Sequence, residues 1–157
     1  MKRILTIVLL LFAGATAGRV VVAEMAGAGR GKGDAAAVRV PDRGKVLAAY
    51  YFLVGKVRCS TCRRMEAYSR AAVKERLPGE AAAGKVLFGV VDTEKPRFRH
   101  FKKDFALPST SLVLALYVDG KLRRFKNLNR IWRLVRDRKA FLDYVEREAR
   151  ALLEEGK

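Results

Sequence analysis

The sequence predicts an α/β domain: a four-stranded mixed sheet with helices on both faces. Three observations predict it. Residues 46–53, 86–91 and 111–118 are near-continuous apolar runs of strand length, the pattern of strands buried on both faces. The first two runs are separated by a segment with apolar residues at helical spacing, long enough to cross over between parallel strands. The third run ends at Asp119-Gly120, a strong hairpin signal that returns the chain antiparallel.

Taken in order, residues 46–53 are the first strand, and Gly55, Lys56 and Arg58 mark the loop after it. Across residues 60–77, Cys62, Met65, Ser69, Ala72, Val73 and Leu77 fall on one helical stripe. Leu77-Pro78-Gly79 ends that helix. Residues 86–91 are the second strand. Asp92 or Thr93 is positioned to cap the next helix, with Pro96 in its first turn and Phe98, Phe101 and Phe105 as its core stripe. Residues 111–118 and 122–125 form the hairpin, the last strand being Arg-rich and suited to an edge. Asn127 or Asn129 opens a short helical piece over residues 131–135. Asp137 caps a final helix whose buried face is Phe141, Leu142, Val145, Ala149 and Leu152.

The ends are different in kind. Met1-Lys2-Arg3 precedes an uncharged, mostly apolar run over residues 4–18, with small residues after it, the layout of a secretory signal. Two cleavage sites fit, after Ala17 and after Ala23; the alternative is an uncleaved anchor, although the run falls short of the roughly 20 apolar residues of a spanning helix. Residues 1–23 are therefore read as a signal peptide or N-terminal anchor, residues 24–44 as a flexible Gly/Ala-rich linker, and residues 45–157 as the folded domain. The expected location is outside the cytosol: a bacterial periplasm or cell surface, with an uncleaved N-terminus serving as a tether. Loss of residues 1–23 would take the formal charge from +17 to +14. Such a cation favours anionic partners, an acidic protein or an anionic membrane surface, unless the arginines simply solvate helix faces. No nucleic-acid module signature is present, so nucleic acid is not an expected partner.

The chain has two cysteines, in Arg58-Cys59-Ser60-Thr61-Cys62-Arg63-Arg64-Met65-Glu66, at a strand-to-helix junction. An exported protein meets conditions in which disulfides persist. Cys59 at a helix N-terminus gains from the free N–H groups and the helix dipole, and Arg58, Arg63 and Arg64 add positive charge that lowers the thiol pKa. Glu66 would oppose this if it points the same way. Cys59 is the expected exposed nucleophile; Cys62, on the core stripe, is the expected resolving thiol. Three other readings compete. A purely structural disulfide closing so short a loop gains about 2 kcal/mol in the chain-entropy model, against about 3 for a 15-residue loop. A metal site lacks ligands, since zinc takes four and the chain adds only His100 to the two cysteines. An inactive scaffold is the third. No cofactor is expected beyond the Cys59–Cys62 disulfide itself, and no metal.

The C-x-x-C at a strand-to-helix junction, followed by this order of elements, resembles the thioredoxin superfamily over about residues 45–155; Val90-Val91-Asp92-Thr93-Glu94-Lys95-Pro96 is similar to its second strand end and helix start. The resemblance implies a thioredoxin-like three-layer fold. Three blocks are more specifically similar to bacterial thioredoxin-like proteins labelled nitrophenyl-compound nitroreductase subunit, ArsF type. They are Tyr50-Tyr51-Phe52 with the cysteine motif and Glu66; His100-Phe101 with Lys103-Asp104; and Lys126-Asn127-Leu128 with Ile131-Trp132 and Leu134-Val135-Arg136-Asp137. That label implies a redox or electron-transfer subunit, and this chain shows no flavin or nicotinamide fingerprint of its own. Departures from thioredoxin are also plain. Tyr50 and Tyr51 stand where thioredoxins keep a buried carboxylate. No proline matches the one thioredoxins hold in cis: Pro108 comes early, leaving Ser109, Thr110 or Ser111 to face the cysteines and a substrate.

The sequence thus predicts an exported thiol–disulfide oxidoreductase acting on a protein thiol or disulfide partner. The alternative is a non-catalytic electron-transfer or binding subunit of a redox system.

Overall fold

The computed structural model describes residues 39–55 and 58–155. The expected signal or anchor over residues 1–23, and the linker as far as residue 38, lie outside them. Strand β1 (Lys45–Leu53) is central, with β2 (Val86–Asp92) parallel on one side and β3 (Ser111–Val118) antiparallel on the other. β4 (Lys121–Asn127) pairs antiparallel with β3 at the edge, giving the order β2-β1-β3-β4. Eight of the nine residues of β1 are buried, because both its edges and both its faces are covered. β4 is exposed over six of its seven residues, and its lysines and arginines deter pairing with another chain.

Alternation along β1 divides the core. Leu47, Ala49, Tyr51 and Leu53 face α1 (Ser60–Arg76) and α5 (Arg138–Glu155), which pack on each other and on that face of the sheet. Ala48, Tyr50 and Phe52 face the other way, against Phe98, Phe105 and Leu107. The fold is thioredoxin-like, with helical cover on both sides of a four-stranded mixed sheet. All six residues of the expected first stripe are buried, as are all five of the last helix; Tyr144 joins the latter. The Asp137 carboxylate accepts the Ala140 N–H at 3.0 Å and caps α5 as expected.

The first helix ends at Leu77-Pro78-Gly79 as expected, and three other local expectations are corrected. Leu77 breaks α1, but Pro78 then opens a further short helix, α2 (Pro78–Ala82), because proline cannot continue one helix yet suits the first position of another. The second crossover is not one helix but a 3-10 turn (Pro96–Phe98) and a single α-turn, α3 (Phe101–Asp104). A continuous helix would align Lys95, Arg99 and Lys103 at four-residue intervals, like charge on like charge. Neither Asp92 nor Thr93 caps it: the Asp92 carboxylate accepts the Glu94 N–H at 3.0 Å, and the Thr93 hydroxyl donates to the Leu53 carbonyl at 2.7 Å. The short helix α4 (Ile131–Leu134) has no side-chain cap from Asn127 or Asn129; it is held by the buried Ile131 and by the Trp132 indole. The turn between β3 and β4 has positive φ at both Asp119 (49°) and Gly120 (71°), which is why this dipeptide stands there.

Candidate functional site

The chain leaves β1 under constraint from both neighbouring strands. Thr93 donates its backbone N–H (3.0 Å) and its hydroxyl (2.7 Å) to the Leu53 carbonyl. On the other side the Thr110 hydroxyl accepts the Val54 N–H at 3.2 Å. Gly55 then takes φ 91°, open to glycine without strain, and donates its N–H to Glu94 Oε1 at 3.0 Å. Lys56 and Val57 lie outside the described residues; Arg58 and Cys59 lead into α1.

Cys59 is the N-cap of α1, extended at φ −69° and ψ 160°. Its Sγ accepts the Cys62 N–H at 3.0 Å and its carbonyl accepts the Arg63 N–H at 3.1 Å. Sulfur therefore occupies the place of a capping oxygen, at the positive end of a 17-residue helix whose first turn carries no acid. A thiolate on Cys59 would be held by the same N–H. In the structure the two sulfurs are joined as a disulfide, with Cα atoms 5.1 Å apart. Cys59 is exposed and Cys62 is 7% exposed, one on the rim and the other on the buried stripe above Met65.

Beneath the motif, the Tyr51 hydroxyl donates to the Cys62 carbonyl at 2.6 Å in a buried contact. Burial pushes the Tyr51 phenol far above the ordinary tyrosine range; the nearby Glu66 charge adds to the rise and Arg58 opposes it. Its proton is thus fixed as the donor. The adjacent Tyr50 points to the opposite face, among Phe52, Phe101 and Phe105, where burial pushes its phenol far above the ordinary tyrosine range. Of the two tyrosines in place of the expected carboxylate, only Tyr51 reaches the motif; strand alternation decides which.

The three arginines flanking the cysteines are placed differently from one another. Arg58 pairs with Glu66, which is also 3.5 Å from Arg70, so Glu66 answers the charge of Arg58. Arg63 donates to the Arg58 carbonyl at 3.3 Å. Arg64 is exposed and has no partner among the described residues.

Ser109, Thr110 and Ser111 lead into β3. No peptide bond among the described residues is cis. Thr110 is buried, its hydroxyl shared with the Val54 N–H and, at 3.4 Å, the Val54 carbonyl. Ser111 is buried and donates to the Ser109 carbonyl at 2.9 Å; Ser109 is half-buried. The Thr110 carbonyl accepts the Trp132 indole N–H at 3.1 Å, a contact that sequence spacing could not reveal across 22 residues. His100 is exposed, on the sheet face away from α1, with Nδ1 2.7 Å from Asp104 Oδ2. Among the described residues no three His, Cys, Asp or Glu side chains gather to hold a metal ion.

Phe52 meets Phe101 at 5.5 Å between ring centroids on one face of the sheet, and Leu128 and Ile131 join Tyr51 and Met65 on the other. A Cys59–Cys62 disulfide thus begins the helix after β1 of a thioredoxin-like fold, the setting in which such a pair does thiol–disulfide chemistry. No protein-family model matches the chain, and no curated protein matches it.

Proposed function

We propose that this chain is a thiol–disulfide oxidoreductase acting outside the cytosol. The observation that carries the reading is the division of labour within the pair: Cys59 is exposed with its sulfur on the N-terminal amide of α1, and Cys62 is buried one turn in. In the reducing direction the Cys59 thiolate attacks a partner disulfide. A Cys59–partner bond forms, and the partner's other sulfur leaves as a thiolate. Cys62 gives its proton to solvent and attacks Cys59 Sγ; the mixed disulfide breaks and the second partner thiolate is released. Two electrons pass to the partner and the pair ends as the disulfide seen in the structure. The reverse sequence oxidises a dithiol. Arg63 and Arg64, neither paired with an acid among the described residues, support the thiolate; Arg58 does so less because Glu66 faces it.

The resemblance to the nitroreductase-subunit group points to electron delivery within a redox system as the physiological use, and the apolar N-terminal run and excess of bases to a periplasmic or surface location with an anionic partner. The test is Cys62→Ser, which should accumulate mixed disulfides through Cys59, while the reduced native protein reduces a model disulfide. A folded protein that does neither refutes the reading and leaves a binding subunit in its place.

A further inference from the structure

The two flanks of the disulfide are unlike each other. On the β2 side a shallow pocket of about 270 Å³ is lined by Leu53, Gly55, Arg58, Asp92 and Glu94. Its charges are spent within the fold: Asp92 on the Glu94 N–H, Glu94 on the Gly55 N–H and Lys102, Arg58 on Glu66. On the β3 side stands Trp132, 39% exposed, with its single polar atom already bonded to the Thr110 carbonyl. The Thr110 hydroxyl is turned inward to Val54. What this flank offers outward is an apolar ring whose hydrogen-bonding needs are met.

Its position beside the disulfide follows from the register. Tyr51, whose hydroxyl touches Cys62, pairs with Leu112, and Thr110 lies two residues before Leu112. Ile131, next to Trp132, packs in the same core cluster as Met65, three residues after Cys62. Residues 126–136 contain Lys126, Arg130, Arg133 and Arg136 and no acid. Lys126 is paired with Glu148 at 2.6 Å and Arg130 lies over the Tyr144 ring, so the free charge of this flank comes from the other two. Arg133 and Arg136 are exposed and, like Arg64 across the motif, have no partner among the described residues. The next acid, Asp137, is occupied in capping α5.

We infer that Trp132, with Arg133, Arg136 and Arg64, forms the docking surface for the redox partner, and that the partner presents a cysteine-bearing segment carrying an aromatic side chain and acidic residues. The ring supplies a preordered stacking platform, since its indole N–H bond fixes its orientation before the partner arrives. The arginines select the sign of the segment and speed its approach. The inference rests on the redox reading of Cys59 and Cys62 for its purpose, but the surface is measurable without any redox step.

The experiment uses the full chain and two labelled peptides of equal length in which serine replaces the cysteine. One carries phenylalanine and aspartates, the other phenylalanine and lysines, and binding is read by fluorescence anisotropy. The acidic peptide should bind about tenfold or more tighter, and high salt should compress the gap. Trp132→Ala should weaken it about tenfold, on the scale of a truncated interface aromatic. Trp132→Phe should fall between the native protein and Trp132→Ala, because it keeps a ring for the partner to meet but loses the N–H bond that orients it. Arg133→Glu with Arg136→Glu should abolish the preference for the acidic peptide; this pair carries the test if Trp132→Ala does not fold. Equal binding of the two peptides, or binding indifferent to both sets of variants, overturns the inference. So does retention on anionic vesicles with the same dependence on Trp132 and no discrimination between peptides. Reduction of uncharged hydroxyethyl disulfide is followed in parallel: its loss in the native protein counts against the redox reading, not the docking surface.

Discussion

The Tyr51 hydroxyl donates to the Cys62 carbonyl at 2.6 Å, tying the central strand to the first turn of the helix that carries the disulfide. This bond lies in a cluster that admits no water-facing route for the phenol, since Tyr51 is fully buried. Tyr51→Phe keeps the ring and its packing and deletes only the bond. The expected cost is about 1 kcal/mol of unfolding free energy, the usual net worth of an internal hydrogen bond. Tyr51→Ala adds a cavity and should cost about 3–5 kcal/mol. Urea unfolding of the three proteins, oxidised, checks both.

The same phenol predicts the alkaline limit of the fold. Burial raises Tyr50, Tyr51, Tyr117 and Tyr144 above the ordinary tyrosine range. A group whose folded value lies above its unfolded value stabilises fully below the unfolded value, about 10 for tyrosine, and loses that contribution as pH rises past it. Thermal stability should therefore fall above pH about 10, with phenolate absorbance appearing together with unfolding. Tyr51→Phe should flatten part of that fall.

Acid acts with the opposite sign. Glu75, Glu94 and Asp143 are held below the ordinary carboxylate range, foremost by hydrogen bonds from Arg138, Lys102 and Lys139 respectively. Their contribution is present above the unfolded carboxylate value of about 4 and is lost as pH falls through the lowered folded values. Asp143→Asn should lower the melting temperature at neutral pH, where Asp143 also pairs with Arg76, and the difference should vanish in acid. Melting curves across the acid range read it directly.

Cys59 and Cys62 should differ in reactivity once reduced. Cys59 is exposed on the amide end of α1 and Cys62 is nine-tenths buried. Thiolate fraction and access together set alkylation. With limiting iodoacetamide, mass spectrometry should find Cys59 modified about tenfold or more ahead of Cys62. Equal labelling would remove the assignment of nucleophile and resolving thiol.

Much of this fold was legible because its strongest signals are local and periodic. The runs that became β1 and β3 need burial on both sides, whereas β2, equally apolar, lies at the sheet edge with Leu87, Phe88 and Val90 only half-buried; a stripe such as Cys62, Met65, Ser69, Ala72, Val73 has one way to hide its apolar side. The Asp119-Gly120 turn and the Asp137 cap depend on neighbours within a few residues. The site was legible only as far as the same locality reached. Cys59 at a helix N-terminus follows from the strand-to-helix order. The Arg58–Glu66 pair depends on side chains eight residues apart across the first turns of α1, and the Trp132–Thr110 bond on two segments that meet only when β3 and α4 are in place. The second crossover departs from the single helix its spacing predicts for a related reason. Phe98, Phe101 and Phe105 have helical spacing, yet they serve the aromatic cluster from two separate turns.

That thin cover makes Phe105 the side chain on which the second face of the sheet depends. Phe105 is 2% exposed and meets Tyr50, Phe52, Phe101 and Phe125 at ring-centroid distances of 5.1 to 6.3 Å. The residue after it, Ala106, sits at φ 47° and ends the helical turn, its N–H on the Lys103 carbonyl at 3.1 Å and the Leu107 N–H on the Lys102 carbonyl at 2.9 Å. Phe105→Ala should cost about 3–5 kcal/mol, a large share of the roughly 5–15 available to such a domain. The damage should be unevenly spread. Amides of residues 96–107 and of β4 should exchange first and fastest, while those of β1 and α1, anchored through Tyr51 and Met65 on the other face, should keep most of their protection. Hydrogen exchange read residue by residue would show this order; uniform loss of protection across both faces would mean that the two clusters unfold as one.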